Sequence, residues 1–252
     1  MAVWRHMGTK ASSHLSASSM YMVSKPTSWN MDPTCSLSRN SKSTFSRVGY
    51  DQRFVMNEIE AYFDEKAPEW DAHCECPGIK HMAVAHIAGV TEGSRVLDVG
   101  CGTGVMEPAL FACGAKSIVA LDLSEKMIEI AASKYPSMPV SFEQACVIEY
   151  ATRDGIEPFD LVVIYNAYPH ILDKQALVTA VYRLLAPHGR FLVAHGASKE
   201  TINAHHQAVP ESVTTGLNSA EEESALWCDS YDIDVLIDTP YFYCFGGTKR
   251  EA

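Results

Sequence analysis

The sequence predicts an α/β protein: a doubly wound, mostly parallel seven-stranded sheet with helices on both faces and a C-terminal antiparallel hairpin. Three observations carry this. Short apolar runs near 96–99, 117–123, 140–145, 159–166 and 189–196 alternate with segments of helical period, as parallel strands joined by crossover helices do. The first run breaks into glycines at alternate positions, Gly100, Gly102 and Gly104, where a strand turns into a helix and lets backbone and ligand approach closely. Residues 232–238 and 241–245 alternate apolar and polar side chains around Asp238-Thr239-Pro240, which predicts the hairpin.

Taken in order, residues 1–47 differ from the rest. They are rich in Ser and Met, lack a sustained apolar period, and carry six Lys/Arg against one acid, Asp32. They read as a disordered tail without a catalytic role, an organellar transit peptide being the other compositional reading. Residues 48–252 form the folded domain, with 48–93 as a helical cap and 94–252 as the core. A helix over 57–66 places Ile59, Tyr62 and Phe63 on one face and stops before Pro68. His73-Cys74-Glu75-Cys76-Pro77 precedes a helix over 79–88 bearing His81 and His86. This His/Cys/Glu density suggests metal ligands, but the spacing fits no closed zinc site, and ordinary loop residues are the better reading. A helix over 105–113 follows the glycines. Ser124 caps the next, which ends at Tyr135-Pro136. Asp173 caps another with Leu177, Val181, Leu184 and Leu185 inward, closed by Pro187 and Gly189.

Composition narrows the function. Residues 51–252 hold 14 basic and 30 acidic side chains, which disfavours nonspecific nucleic-acid binding, a process driven by phosphate neutralisation. No apolar run approaches the ~20 residues of a membrane span. The eight cysteines form no C-x-x-C and read as reduced thiols of a cytoplasmic protein, monomer or homodimer.

The glycine segment indicates the ligand. Asp98 lies within the apolar run Val96-Leu97-Asp98-Val99, where an unpaired carboxylate is costly, so it should bond loop amides or a ligand amine. Asp122 ends the second strand, placed to accept from both ribose hydroxyls of an adenosine-type ligand. The spacing is G-x-G-x-G rather than the G-x-G-x-x-G of dinucleotide sites, and Glu107 stands where a pyrophosphate would not favour an anion. A nicotinamide oxidoreductase is therefore disfavoured.

Val96-Leu97-Asp98-Val99-Gly100-Cys101-Gly102-Thr103-Gly104, with Val119-Ala120-Leu121-Asp122-Leu123-Ser124, resembles the first two motifs of class I S-adenosylmethionine-dependent methyltransferases; the resemblance covers roughly residues 62–249. It implies S-adenosylmethionine as cofactor. The implied site is Asp98, Gly100, Cys101, Gly102, Gly104, Asp122, Leu123, Met127, Ala145, Cys146 and Asn166. Many relatives hold the adenine amino group with an Asp after the third strand; here Gln144 or the Cys146 backbone would substitute. Residues 62–71 resemble the aromatic-rich entry segment that such enzymes pack over the cofactor, although Phe63 and Trp70 also suit ordinary core. The Asn-Pro-Pro-Tyr pattern of nucleic-acid and glutamine methylases is absent at Asn166-Ala167-Tyr168-Pro169, which favours a small-molecule acceptor. A non-catalytic cofactor-binding regulatory or scaffold protein is the alternative.

For the acceptor side, His170 follows the fourth strand, His195 ends the fifth, and His205, beside His206, lies on the helix after Ser198. Carboxyl ends of adjacent parallel strands converge on one crevice, so His170, His195 and His205 are expected near the transferred methyl. One would act as general base, or two or three would hold a divalent metal; otherwise they are polar loop residues.

Overall fold

The computed structural model describes residues 52–73 and 78–251. The expectations for residues 1–47, and for Cys74 to Pro77, lie outside these described residues. In chain order the elements are α1 (Gln52–Lys66), a 3-10 turn (Ala67–Glu69), α2 (Trp70–His73), α3 (Ile79–Ala88), β1 (Arg95–Val99), α4 (Glu107–Ala112), β2 (Ser117–Asp122), α5 (Glu125–Lys134), β3 (Val140–Gln144), α6 (Val147–Tyr150) and β4 (Phe159–Tyr165). A second 3-10 turn (Tyr168–His170) leads to α7 (Lys174–Leu184), β5 (Leu185–His195), α8 (Lys199–His206), α9 (Ala220–Ala225), β6 (Tyr231–Asp238) and β7 (Tyr243–Lys249).

The strands form a seven-stranded sheet in the order β3-β2-β1-β4-β5-β7-β6. β1 runs parallel to β2 and β4, and β4 parallel to β5, whereas β7 is antiparallel to both β5 and β6. The doubly wound sheet with its terminal hairpin is thus as the sequence predicts. Chain order reverses direction between β1 and β4, and at such a switch point the loops leaving the strand tips part to form a crevice.

Pleating divides the core between the two faces. Leu97 and Val99 of β1 join Val162, Ile164, Leu177, Val181 and Trp227 on one side. Val96 joins Val84, Ala85, Leu110, Ile118 and Val163 on the other, under α3 and α4. Asp98 alternates with Leu97 and Val99, so it shares the face of Val96 and points toward α4. Phe191 stacks on Trp227 at 4.0 Å under the hairpin, with Tyr231 and Phe245 packed around the pair.

Several boundaries differ from the sequence reading. α7 stops at Leu184, before Pro187 and Gly189, and β5 begins at Leu185, its pairing to β4 shifting where His188 takes a positive φ of 59°. The last strand begins at Tyr243; Tyr241 lies in the turn and is exposed. α4 starts at Glu107 rather than Val105, because the glycine turn extends further before helical bonding begins. α9 was not anticipated, although Ser219 and Glu222 close a full capping box at its start.

Candidate active site

The glycine turn is held from the neighbouring strand. Gly100 and Cys101 donate their N–H groups to the Leu121 carbonyl at 2.7 and 3.0 Å, and Gly102 N–H donates to Asp122 at 2.9 Å. The turn needs glycine: φ is +71° at Gly100, and a Cβ there would lie 2.3 Å from that of Ala167. Asp122 also accepts from Ser124 N–H at 2.9 Å. Its two oxygens thus clamp the turn to the start of α5, each keeping a lone pair for a further donor. Burial raises the Asp122 pKa, the Ser124, Gly102 and Leu123 amides pulling the other way.

Asp98 does not do what the sequence suggested for loop amides; Asp122 and Leu121 take them. Asp98 is 1% exposed and Glu107 fully buried, and neither carboxyl has a hydrogen-bond partner among the described residues. Burial first, then the Glu107 and Asp122 charges, raises Asp98 well above the usual carboxylate range. Burial raises Glu107 to about 7, its own backbone amide and then the Lys134 ammonium pulling downward.

The remaining sequence-predicted cofactor positions lie in the glycine turn, at strand tips and at the starts of the helices that follow them. Met127 is buried in the first turn of α5, its N–H donating to the Ser124 cap. Leu123 offers its carbonyl to Gln144 Nε2 at 3.1 Å, and Ala145 N–H donates to the Asp122 carbonyl. Cys146 caps α6, and Cys101 is buried inside the turn, its pKa raised chiefly by burial. Asn166 sits at the β4 tip with φ +55° and accepts from Gly196 N–H at 3.1 Å, tying the tips of β4 and β5.

The N-terminal helices pack against the glycine turn and the loops after β2, β3 and β4. Glu60 accepts from Gln144 at 3.0 Å, and Asp64 accepts from the Ser124 hydroxyl at 2.5 Å. Asp71 accepts from the Thr103 hydroxyl at 2.5 Å and from Lys134 at 2.9 Å. Phe63 packs edge-on against Trp70 at 5.7 Å and His170 at 4.9 Å. The Trp70 indole nitrogen would lie 3.6 Å from a Cβ on Gly102. Of the two readings for Phe63 and Trp70, packing over the glycine turn is the one the contacts favour.

On the acceptor side His170, His195 and His206 lie within reach of one another's charges, and His205 stands apart. His170 Nδ1–H donates to the Val213 carbonyl at 2.9 Å, which leaves Nε2 as the acceptor nitrogen. Its ring lies 4.9 Å from that of His206. His205 is exposed and does not join them; its neighbour His206 does, with Nδ1 2.8 Å from the Thr214 hydroxyl. His195 is 1% exposed against Tyr243, both ring nitrogens unpartnered among the described residues. Burial, then the charges of His170 and His206, lowers it to about 3, and burial lowers His170 to about 4. No group of three His, Cys, Asp or Glu side chains is arranged to hold a metal ion among the described residues. His81, read from sequence as one of a dense group, accepts from Gly78 N–H and packs against Tyr165 instead.

A surface cavity of about 330 Å³ adjoins His206, lined also by Asn203, Thr214 and Leu217. One of about 340 Å³ lies near Gly93, Ser94 and Asp160, at the amino ends of β1 and β4 and away from this chemistry. No helix among the described residues is long and apolar enough to cross a membrane.

The sheet order and terminal hairpin are those of the class I S-adenosylmethionine-dependent methyltransferase fold. Comparison with known proteins agrees: residues 96–189 match the methyltransferase domain family. An uncharacterized methyltransferase of Schizosaccharomyces pombe is 37% identical over 110 residues, covering 40% of this chain and 38% of the relative. The ubiquinone biosynthesis O-methyltransferase of Rhizobium johnstonii is 34% identical over 103 residues, 41% of each chain. That of Alkalilimnicola ehrlichii is 32% identical over 151 residues, 56% of this chain and 60% of the relative. The chain thus spans about two fifths of the length of the first two relatives. Among solved structures, magnesium protoporphyrin IX methyltransferase of Synechocystis superimposes with TM-score 0.58 at 16% identity, over 78% of this chain and 100% of that one. The N-methyltransferase NodS of Bradyrhizobium japonicum gives 0.58 at 14%, over 78% and 99%.

Proposed function

We propose that this protein transfers the methyl group of S-adenosylmethionine to a small-molecule acceptor. The observation that carries this reading is the crevice at the strand switch point. A turn with glycine at alternate positions and a buried Asp98 without a hydrogen-bond partner among the described residues suit an adenosyl amino acid with a cationic ammonium. Asp122, with lone pairs to spare, suits the ribose hydroxyls, and the Ala145–Cys146 backbone and Met127 suit the adenine. S-adenosylmethionine, when bound, supplies a methyl group on an already activated sulfonium.

The chain's own residues then position an acceptor and hold its proton. The Phe63 and Trp70 rings exclude water from above. His170 is the residue we assign as general base: its Val213 bond fixes the tautomer, leaving Nε2 to take a proton from a hydroxyl or amine. A pKa near 4 keeps it unprotonated at neutral pH. His206, across from it, and the adjoining cavity suit a small acceptor better than a polymer. His195, fully buried, supports the floor of this region. The names of the curated relatives, O-methyltransferases of ubiquinone biosynthesis, are consistent with a hydroxyl acceptor.

The test is transfer of radiolabelled methyl from S-adenosylmethionine into fractionated small-metabolite pools. Label in a low-molecular-weight product, lost in His170→Ala, is expected. Binding of the cofactor without transfer to any pool refutes the enzyme reading.

A further inference from the structure

We propose that Glu107 is a second acidic ligand, beside Asp98, for the α-ammonium of the cofactor's amino-acid portion, and that cofactor binding displaces one proton from this carboxyl pair. The proposal rests on the methyltransferase reading above and adds to it a residue and a proton.

The geometry brings the two acids to one place. Asp98 lies on the β1 face that α4 covers, and Glu107 is the first residue of α4. Both side chains are buried, and all four oxygens lack hydrogen-bond partners among the described residues. A Cβ on Gly104 would lie 3.2 Å from Glu107 Oε2, so this carboxyl lies against the glycine turn. Two like charges in such a place cannot both ionise without a counter-cation. The raised pKa of each acid, with Glu107 at about 7, says the same of the free protein. The groups facing the pair are Asp122 from β2, Cys101 from the turn, the Met106 and Glu107 backbone amides at the start of α4, and Lys134 and Tyr135 at the end of α5. Lys134 is the cation among these, and its ammonium is engaged by Asp71 and Thr103. A ligand ammonium supplies the missing charge. On binding, one carboxylic O–H of the pair breaks, its proton passes to buffer, and two carboxylates face one cation. Because the free protein holds the proton, affinity rises with pH and levels off above the pKa of the free pair.

The experiment is isothermal titration of the full chain near pH 6.5, in two buffers of different ionisation enthalpy. The ligands are S-adenosylhomocysteine, which carries the α-ammonium, and 5′-methylthioadenosine, which lacks it. S-adenosylhomocysteine should release about one proton and bind up to about tenfold more tightly per pH unit below pH 7. Methylthioadenosine should release none. E107Q should weaken S-adenosylhomocysteine by about tenfold or more, abolish the pH dependence, and leave methylthioadenosine unchanged. The proton count is read on the unsubstituted protein, so it stands even if E107Q folds poorly. Binding of S-adenosylhomocysteine without proton release, or with E107Q equal to the parent, overturns the proposal alone. Failure of both ligands to bind overturns the cofactor reading and the proposal with it.

Discussion

Removing the Asp122 carboxylate tests how the glycine turn is built. Asp122→Ala deletes two hydrogen bonds to a charged acceptor, from Gly102 and Ser124 N–H groups, each at 2.9 Å. Bonds of this kind contribute about 1.5–3 kcal/mol each, or roughly 3–6 together. Part of that is offset in the parent, because burial outweighs the amides in raising the Asp122 pKa: the charge itself is held at a cost. The net expectation at pH 7 is a loss of about 1–3 kcal/mol in urea unfolding, with an unchanged m-value. The sign of the pH dependence follows from the raised pKa. The carboxyl's contribution is fullest below the ordinary Asp pKa and declines as pH rises through its raised folded value, so the gap between Asp122→Ala and parent should narrow as pH rises above about 4. S-adenosylhomocysteine affinity should fall by a further ~10–100-fold as the ribose partners are lost, read by calorimetry. Unfolding within about 0.5 kcal/mol of the parent at all pH values would refute the claim that this carboxylate clamps the turn.

His170→Ala should lower kcat by about 10²–10⁴ while S-adenosylhomocysteine affinity stays within about threefold of the parent; equal kcat would remove His170 from the chemistry. In the parent, kcat should stay level from pH 8 down to about 5 and decline only toward pH 4, since the base is needed unprotonated and burial holds it near 4; a limb near 6.5 in the pH–rate profile would contradict this. Gly100→Ala should cost roughly 2–4 kcal/mol in urea unfolding, because φ is +71° and the new methyl meets Ala167 at 2.3 Å. Gly93→Ala, with φ +90° but nothing within 4 Å, should cost only the backbone strain of about 1 kcal/mol, and equal losses would show that the Ala167 contact is unimportant.

The parts of this structure written locally in the sequence were legible there. Strand, alternating glycines, helix and acid occupy fewer than 30 consecutive residues, and their chemistry follows from their order. The packing of the N-terminal helices was only half legible. Their aromatic residues stand out, but the bonds that seat them join Asp64 to Ser124 and Glu60 to Gln144, pairs 60 and 84 residues apart that no local pattern links. The sequence reading placed His205 near His170, with His206 beside it; neighbouring helical residues differ by about 100° in direction, and only the packed orientation of α8 decides that His206 is the one that faces His170. Asp98 was recognised as costly to bury, yet its lack of a loop partner appears only once Asp122 is seen holding the amides. Pro187 and Gly189 read as a helix stop because their usual grammar is local, whereas the shifted β4 pairing that absorbs them is a property of the sheet.

One continuous stretch of α1 and α2 touches the glycine turn, the tips of β2 and β3, and His170. On the proposed assignment this stretch covers both ligands at once and imposes an itinerary. The adenosyl ligand, proposed to lie deepest against Asp98, should arrive first and depart last, with the acceptor coming and going in between. Methylated product should therefore leave before the spent cofactor, and S-adenosylhomocysteine should act as a competitive inhibitor toward S-adenosylmethionine and a noncompetitive one toward the acceptor.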